Sequence, residues 1–255
     1  MPLYRWDVIA GQDFRWLRER ARRSADLYRG YRIDHLVGFY RTYGRPRDGG
    51  DGFFTPSEQR DQEALGERLL DLFRSAGAEI IAEDLGTVPD FVRGSLARLA
   101  VPGFRVLRWE RHWHADGQPF RDPADYPPVS VATSGTHDTE PLLVWWEHAS
   151  DDERWKVSAT PTIQRLTEGA GLMHASAARV RDVLLEALFA SGSALLLLPV
   201  QDVFGWSDRI NVPATQDATN WTFRLPWPVD RLADATAARE RQEMLRRWCE
   251  RYGRV

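Results

Sequence analysis

The chain has 255 residues, 43% hydrophobic and 28% charged, which is enough apolar material for a packed core and excludes global disorder. The formal charge is −3 and the basic residues are scattered, so no phosphate-tracking surface and no nucleic-acid partner is expected. No apolar run approaches the ~20 residues of a membrane helix, the N-terminal stretch lacks a signal-peptide pattern, and the lone Cys249 cannot make an internal disulfide; a cytoplasmic protein without a membrane partner is expected.

Taken in chain order, residues 13–28 ("DFRWLRERARRSADLY") read as a helix feeding a strand at 31–34 ("YRID"). A helix follows over 57–77, with Leu65, Leu69, Leu72 and Phe73 on one face and Gly77 as its stop. A second strand at 78–85 ("AEIIAEDL") leads to a helix in 87–100, for which Thr87 is the expected cap and Pro89 a first-turn residue. Further strands are expected at 103–109 ("GFRVLRW"), 129–135 ("VSVATSG") and 193–200 ("SALLLLPV"). A long loop spans 201–226 and a final helix about 231–251. Five strands separated by helical patterns imply an α/β fold with a parallel sheet. With no repeat, linker or low-complexity tract, residues 1–255 are expected to form one domain without an internal boundary.

Three of these strands run into an acid within a polar cluster: Asp34 in "RIDH", Glu83 in "AEDLG" and Asp138 in "GTHDTE". A buried parallel strand is otherwise nearly all apolar, so a carboxylate at its end costs desolvation unless it is paired or used. In parallel α/β folds the C-terminal strand ends converge on one face, where reactive groups from separate strands assemble. Alternation puts Arg32 and Asp34 on one face, and the guanidinium favours an ionised Asp34, as a nucleophile requires. Glu83 follows the apolar "EIIA", a setting that raises a carboxyl pKa and suits a proton donor. Asp84 then points away from Glu83 as a supporting or capping group. His35 and His137 are candidate hydrogen-bond donors to a hydroxyl-rich substrate. Among the eleven Trp and other aromatic residues, Trp109, Trp206, Phe39 and Tyr40 are candidate stacking platforms. A metal shell around His112 and His114 is a competing reading, but the clusters lack a known ligand spacing, so neither metal nor cofactor is expected.

Read together, "PLYRW" at 2–6, "RIDH", "IIAEDLG", "GTHDTE", "RINVPAT" and "NW" resemble the amylomaltases, the 4-α-glucanotransferases of glycoside hydrolase family 77. The resemblance implies a TIM (β/α)8 barrel and a carboxylate triad: Asp34 as nucleophile, Glu83 as general acid/base and Asp138 as transition-state stabiliser. It further implies sugar contacts at Arg32, His35, His137, Asn211 and Trp221, with Pro213 and Asn220 in the matching loop. Malto-oligosaccharides or α-1,4-glucans are the implied substrates, cleaved and transferred with retention. An inactive truncated fragment or glycan-binding remnant, and an α-glucan hydrolase of the amylase clan, are the competing readings.

The sequence departs from the family at Leu36 and Val37, where an aromatic and an Arg are usual, at Thr139 and Glu140 in place of Asn and Asp, and at Ala214 in place of Gly. By the same resemblance the chain holds about strands 4 to 8 of the barrel, the N-terminal strands being absent. Five strands cannot close a barrel, which makes the N-terminal barrel portion an expected partner.

Overall fold

The computed structural model describes residues 3–254, so Pro2 of the "PLYRW" match lies outside the described residues. The strands are β1 (Gly30–Ile33), β2 (Thr42–Gly44), β3 (Phe53–Thr55), β4 (Glu79–Ala82), β5 (Gly103–Val106), β6 (Ser130–Thr133) and β7 (Leu195–Leu196). Five are hydrogen-bonded in the order β1-β4-β5-β6-β7, and the registered pairs β1/β4, β4/β5 and β6/β7 are parallel. These are the five strands expected from the sequence. Their consecutive order, with α-helices in the β1–β4, β4–β5 and β6–β7 crossovers, follows the repeat of a (β/α)8 barrel, whereas the β5–β6 connection holds only the 3-10 turns Leu107–Trp109 and Pro123–Asp125 in place of the expected helix. The antiparallel ribbon β2/β3 was not expected; it lies in the Gly-rich crossover between β1 and β4, where no apolar alternation announces it. No helix among the described residues is long and apolar enough to cross a membrane.

The chain divides into two compact units, one ending at Phe104 and one beginning at Arg105, so the division falls inside β5 rather than in a linker. In the first unit, helix Gln59–Arg74 buries Leu69, Leu70, Leu72 and Phe73, while Leu65 is only partly covered. Each fully buried leucine of this kind contributes about 2 kcal/mol. Gly66 is required on this helix because a Cβ would come 2.3 Å from the Tyr40 ring. Tyr40 is fully buried, its hydroxyl pairs with Ser95 Oγ at 2.7 Å, and burial pushes its pKa up to about 12. Phe39 packs on Phe73 with ring centroids 5.3 Å apart. Of the candidate platforms at 39 and 40, Tyr40 is therefore a core residue and Phe39 is partly buried against the core, because the short helix Val37–Tyr40 turns Tyr40 fully inward.

Several element ends differ from expectation. The helix expected over 13–28 is Arg15–Leu27, separated from helix Trp6–Gly11 by left-handed residues at Asp13 and Phe14. Thr87 does not cap the next helix, which runs Asp90–Arg98 behind Pro89; Thr87 belongs to the turn opened by Gly86 at φ 80°. The final helix is Thr236–Tyr252, preceded by a 3-10 segment at Val229–Asp234, with Ala235 extended between them. β7 is only two residues long, and helix Val200–Phe204 begins where Pro199 ends the extended run.

In the second unit, helix Ala177–Phe189 is the centre of a core that includes Val180, Val183, Leu184, Leu185 and Leu188, with Trp145, Trp146 and Trp248 around it. Arg254 ties the end of this helix down: its guanidinium donates to the carbonyls of Phe189 at 2.6 Å, Ser193 at 2.9 Å and Ser191 at 2.7 Å.

Candidate active site

The first cluster is built by the β1/β4 ladder. Parallel pairing continues past the strand ends, with Glu83 N–H donating to Ile33 O at 3.0 Å and Leu36 N–H to Glu83 O at 3.1 Å. Asp34 and Glu83 therefore leave adjacent strands at the same level. Ile33 turns into the core, whereas Arg32 and Asp34 share the opposite face, as alternation requires. Arg32 Nη2 donates to Asp34 Oδ1 at 2.7 Å and stands 4.0 Å from Glu83 Oε2, so one guanidinium addresses both carboxylates. Its plane lies over the Phe104 ring at 5.4 Å, and its Nε is buried without a partner.

The two acids differ sharply in exposure: the Asp34 side chain is 77% exposed and that of Glu83 is 11% exposed. The apolar surroundings expected for Glu83 are not what it meets. Oε2 accepts from His35 N–H at 2.7 Å and Oε1 from Leu85 N–H at 3.0 Å. His35 reaches this position by adopting a left-handed backbone at φ 45°, which aims its amide at the carboxylate. The residue expected to meet substrate through its ring thus orients Glu83 through its backbone. Asp84 points away, as expected; it is buried and accepts from Phe104 N–H at 2.7 Å and Arg93 Nη1 at 3.3 Å. Gly103 permits that approach, since a Cβ there would lie 2.5 Å from Asp84 Oδ2.

The second cluster lies in the second unit, on the segment after β6. Asp138 is five residues past the strand end, in a turn closed by its own threonines. Thr136 N–H donates to Thr139 Oγ1 at 3.0 Å, Thr139 Oγ1 to Thr136 O at 3.0 Å, and Asp138 N–H to Thr136 Oγ1 at 3.3 Å. The departure from Asn at 139 is thereby accommodated, because the Thr hydroxyl supplies both turn contacts. Gly135 has no space for a side chain: a Cβ would meet Thr139 Oγ1 at 2.5 Å.

The 201–226 segment folds onto this turn. Asn211 Nδ2 donates to Asp138 Oδ1 at 2.6 Å, Asn211 N–H to His137 O at 3.2 Å, and Arg209 Nη2 to Asp138 O at 2.6 Å. His137 Nε2 is 3.5 Å from Asp138 Oδ2, and its ring lies 5.3 Å from that of the exposed Trp221. Asn220 Oδ1 accepts from Val212 N–H at 3.0 Å and fixes the "NVPAT" bend, where Ala214 has φ 61°. That angle favours glycine and explains physically why the family pattern has Gly there. His137, Asp138, Asn211 and Trp221 are therefore brought together, just as Arg32, Asp34, His35 and Glu83 are in the first unit.

A cleft of about 630 Å³ beside Asp138 is lined by Trp109, Trp113, Arg108, Arg111 and Arg209. Trp109 is thus available to a ligand there. Trp206 is partly covered, stacking on Phe204 at 4.5 Å and packing against Phe223 and Trp227. Sequence reasoning missed Arg209, Arg108 and Asp202. The signal for two of them was present: Arg108 is a charge inside an apolar run, and Asp202 is an acid shortly after the fifth strand, as Asp34, Glu83 and Asp138 follow theirs. Among the described residues no group of three His, Cys, Asp or Glu side chains gathers as a metal shell.

Carboxylates leaving the C-terminal ends of parallel strands, set among arginines and exposed Trp rings, define a class: the barrel-type, acid/base-equipped α/β proteins. Comparison with known proteins narrows that class. A family model described as 4-alpha-glucanotransferase, glycoside hydrolase 77, matches residues 1–230, and the chain belongs to this family. It is 30% identical over 241 residues to a 4-alpha-glucanotransferase of Chlamydia pneumoniae, covering 91% of this chain and 44% of the relative. It is 31% identical over 232 residues to one of Thermus thermophilus, covering 88% and 43%. The fold matches the solved amylomaltase of Streptococcus agalactiae in complex with acarbose, with a TM-score of 0.75 at 23% identity, over 99% of this chain and 47% of that one. The chain thus spans less than half the length of these relatives and holds five strands of the barrel.

Proposed function

We propose that this chain carries the reacting carboxylates of a 4-α-glucanotransferase acting on α-1,4-linked malto-oligosaccharides. The observation that carries the reading is the Arg32 guanidinium reaching Asp34 at 2.7 Å and Glu83 at 4.0 Å, two acids on adjacent parallel strand ends. Glu83 protonates the glycosidic oxygen while an oxygen of Asp34 attacks the anomeric carbon. The bond to the leaving sugar breaks and a covalent glucosyl ester forms on Asp34; retaining enzymes place two such carboxyls about 5 to 5.5 Å apart. Glu83, now deprotonated, takes the proton of an acceptor hydroxyl whose oxygen displaces Asp34. The acceptor is the 4-hydroxyl of another glucan in transfer and water in hydrolysis.

Each oxygen of Glu83 accepts a backbone N–H, which fixes its direction before substrate arrives, and arginine holds Asp34 on the same face. Asp138, with one oxygen on Asn211, is assigned to the positive charge that develops on the ring in the transition state, and His137, Trp221, Asn211, Arg32 and His35 to the surrounding sugar contacts. The proposal includes a partner. The strand order ends at β1 on one side and β7 on the other, and an eight-stranded barrel pairs both edges. The N-terminal barrel portion, on the same or a separate polypeptide, fills that role.

The test is incubation of the folded chain with maltotriose, alone and with the N-terminal barrel portion supplied separately. Glucose together with longer oligomers supports transfer. Net gain of reducing ends without longer products assigns hydrolysis, and no product from either preparation overturns the reading.

A further inference from the structure

Asp202 is used by nothing in the mechanism above, yet it is one of the most deeply buried acids of the second unit, at 2% exposure. It sits in the first turn of helix Val200–Phe204, just after β7, and β7 pairs with β6 through Val131/Leu195 and Ala132/Leu196. That pairing continues as Leu197 N–H donates to Ala132 O at 3.0 Å, so the backbone leading to Asp202 is registered against the backbone leading to Ser134. The two carboxylate oxygens go to different places. Oδ2 accepts from Ser134 Oγ at 2.5 Å, and Oδ1 accepts from Leu142 N–H at 2.7 Å.

Ser134 is the first residue after β6 and Leu142 is the first residue of helix Leu142–His148. Between them lie residues 135–141, the segment bearing His137 and Asp138. We propose that Asp202 is the positioning residue of this segment: a single buried carboxylate grips both of its ends and so sets where Asp138 is held. The catalytic consequence rests on the role proposed above for Asp138; the geometric claim does not.

A buried carboxylate is costly, and here burial pushes its pKa up while Ser134, Leu142 and the charge of Arg108 pull it back. Arg108 is itself buried, lies over Trp145 at 5.2 Å and donates to Ser134 O at 3.4 Å. The same arginine lines the cleft beside Asp138. The segment is thus held from behind by Asp202, at its root by Arg108, internally by Thr136 and Thr139, and from the front by Asn211 and Arg209.

Two substitutions separate positioning from bulk support. Asp202→Asn retains both contacts, since its carbonyl oxygen still accepts from Leu142 N–H and its amide donates to a Ser134 hydroxyl that has turned round. Asp202→Leu fills a similar volume with neither contact. In hydrogen exchange on the chain, Asp202→Leu is expected to speed the amides of 136–140 by about tenfold while Asp202→Asn leaves them protected. On maltotriose, Asp202→Leu is expected to lower kcat by about thirtyfold with KM nearly unchanged, and Asp202→Asn to restore most of it. Exchange in 136–140 unaltered by Asp202→Leu, kcat unaltered despite faster exchange, or equal damage from both variants overturns the proposal. Should Asp202→Leu not fold, Ser134→Ala frees one end and is read identically. A wild-type chain inactive under every condition counts against the proposed function, and the exchange experiment then decides the positioning claim by itself.

Discussion

Asp34 with Glu83, and Asp138, are acids held by opposite strategies. The first two leave their strands immediately, so the β1/β4 register places them, brings the His35 amide to Glu83, and leaves the rest to local contacts: Arg32 two residues before Asp34, and the amide of Leu85 two residues after Glu83. Asp138 lies five residues beyond β6 and is fixed by side chains far along the chain, Asn211, Arg209 and Asp202 among them. Placement by strand register tolerates change in distant segments, whereas placement by a braced loop depends on each brace.

The largest effect is expected at the register-placed pair, where the loss is chemical. Asp34→Asn, measured as kcat on maltotriose, is expected to abolish detectable turnover, and Glu83→Gln to cost about 10²- to 10⁴-fold. Asp34→Asn is expected to cost less than about 1 kcal/mol of stability, since Asp34 is exposed, whereas Glu83→Gln turns an amide NH2 toward one of the two backbone N–H groups and is expected to cost about 1 to 3 kcal/mol, both read by denaturant unfolding. A large stability loss in Asp34→Asn would blur the distinction, because it would make that acid part of the scaffold.

The braced loop is best broken without touching an acid. Gly135→Ala forces Thr139 Oγ1 away from a Cβ that would otherwise sit 2.5 Å from it, and the turn carrying Asp138 has to shift. A displacement of about 1 Å at a reacting group costs about 10²-fold, so kcat is expected to fall by that order with the acids intact. Unchanged kcat would show that the loop is less tightly specified than its hydrogen bonds indicate.

A third variant tests whether the second unit's support is separable from its chemistry. Arg254→Ala removes a guanidinium shared by three backbone carbonyls between helix Ala177–Phe189 and β7. Charge-assisted bonds of this kind make a loss of about 2 to 3 kcal/mol reasonable, read by denaturant unfolding, with kcat altered by less than about threefold at a temperature where the variant is folded. The smallest effect is expected from Ala214→Gly. Relieving a left-handed alanine at φ 61° is partly offset by glycine's greater freedom when unfolded, so a gain below about 1 kcal/mol is expected, seen as slower exchange around Asn211.

The same contrast explains what could be read in advance. Asp34 and Glu83 were legible because an acid ending an apolar run is anomalous, and the alternation of Arg32, Ile33 and Asp34 predicts which side chains share a face. Glu83's surroundings were misjudged because preceding residues in a strand describe its two faces, not the amides that later turns direct at its end. Phe39 and Tyr40 read as platforms because exposure has no local signature; helix Val37–Tyr40 and the gap at Gly66 make Tyr40 core, while Phe39 is partly covered by Phe73. Asp202 was overlooked because its partners, Ser134 and Leu142, are 68 and 60 positions away.

The sequence by itself determined the five parallel strands, the helices between them, the three candidate acids and the motif order by which the chain belongs to its family. The strands, helices and acids rest on periodicity and strand-end chemistry, and the family on the resemblance of short motifs, all of them properties of neighbouring residues. Only the tertiary structure decided that the amide of His35 addresses Glu83, that Asn211 and Trp221 meet His137 and Asp138, and that one carboxylate at 202 spans the segment bearing Asp138. Those contacts follow from loop closure and from buried polar groups needing partners, and neither is encoded in any short stretch of chain.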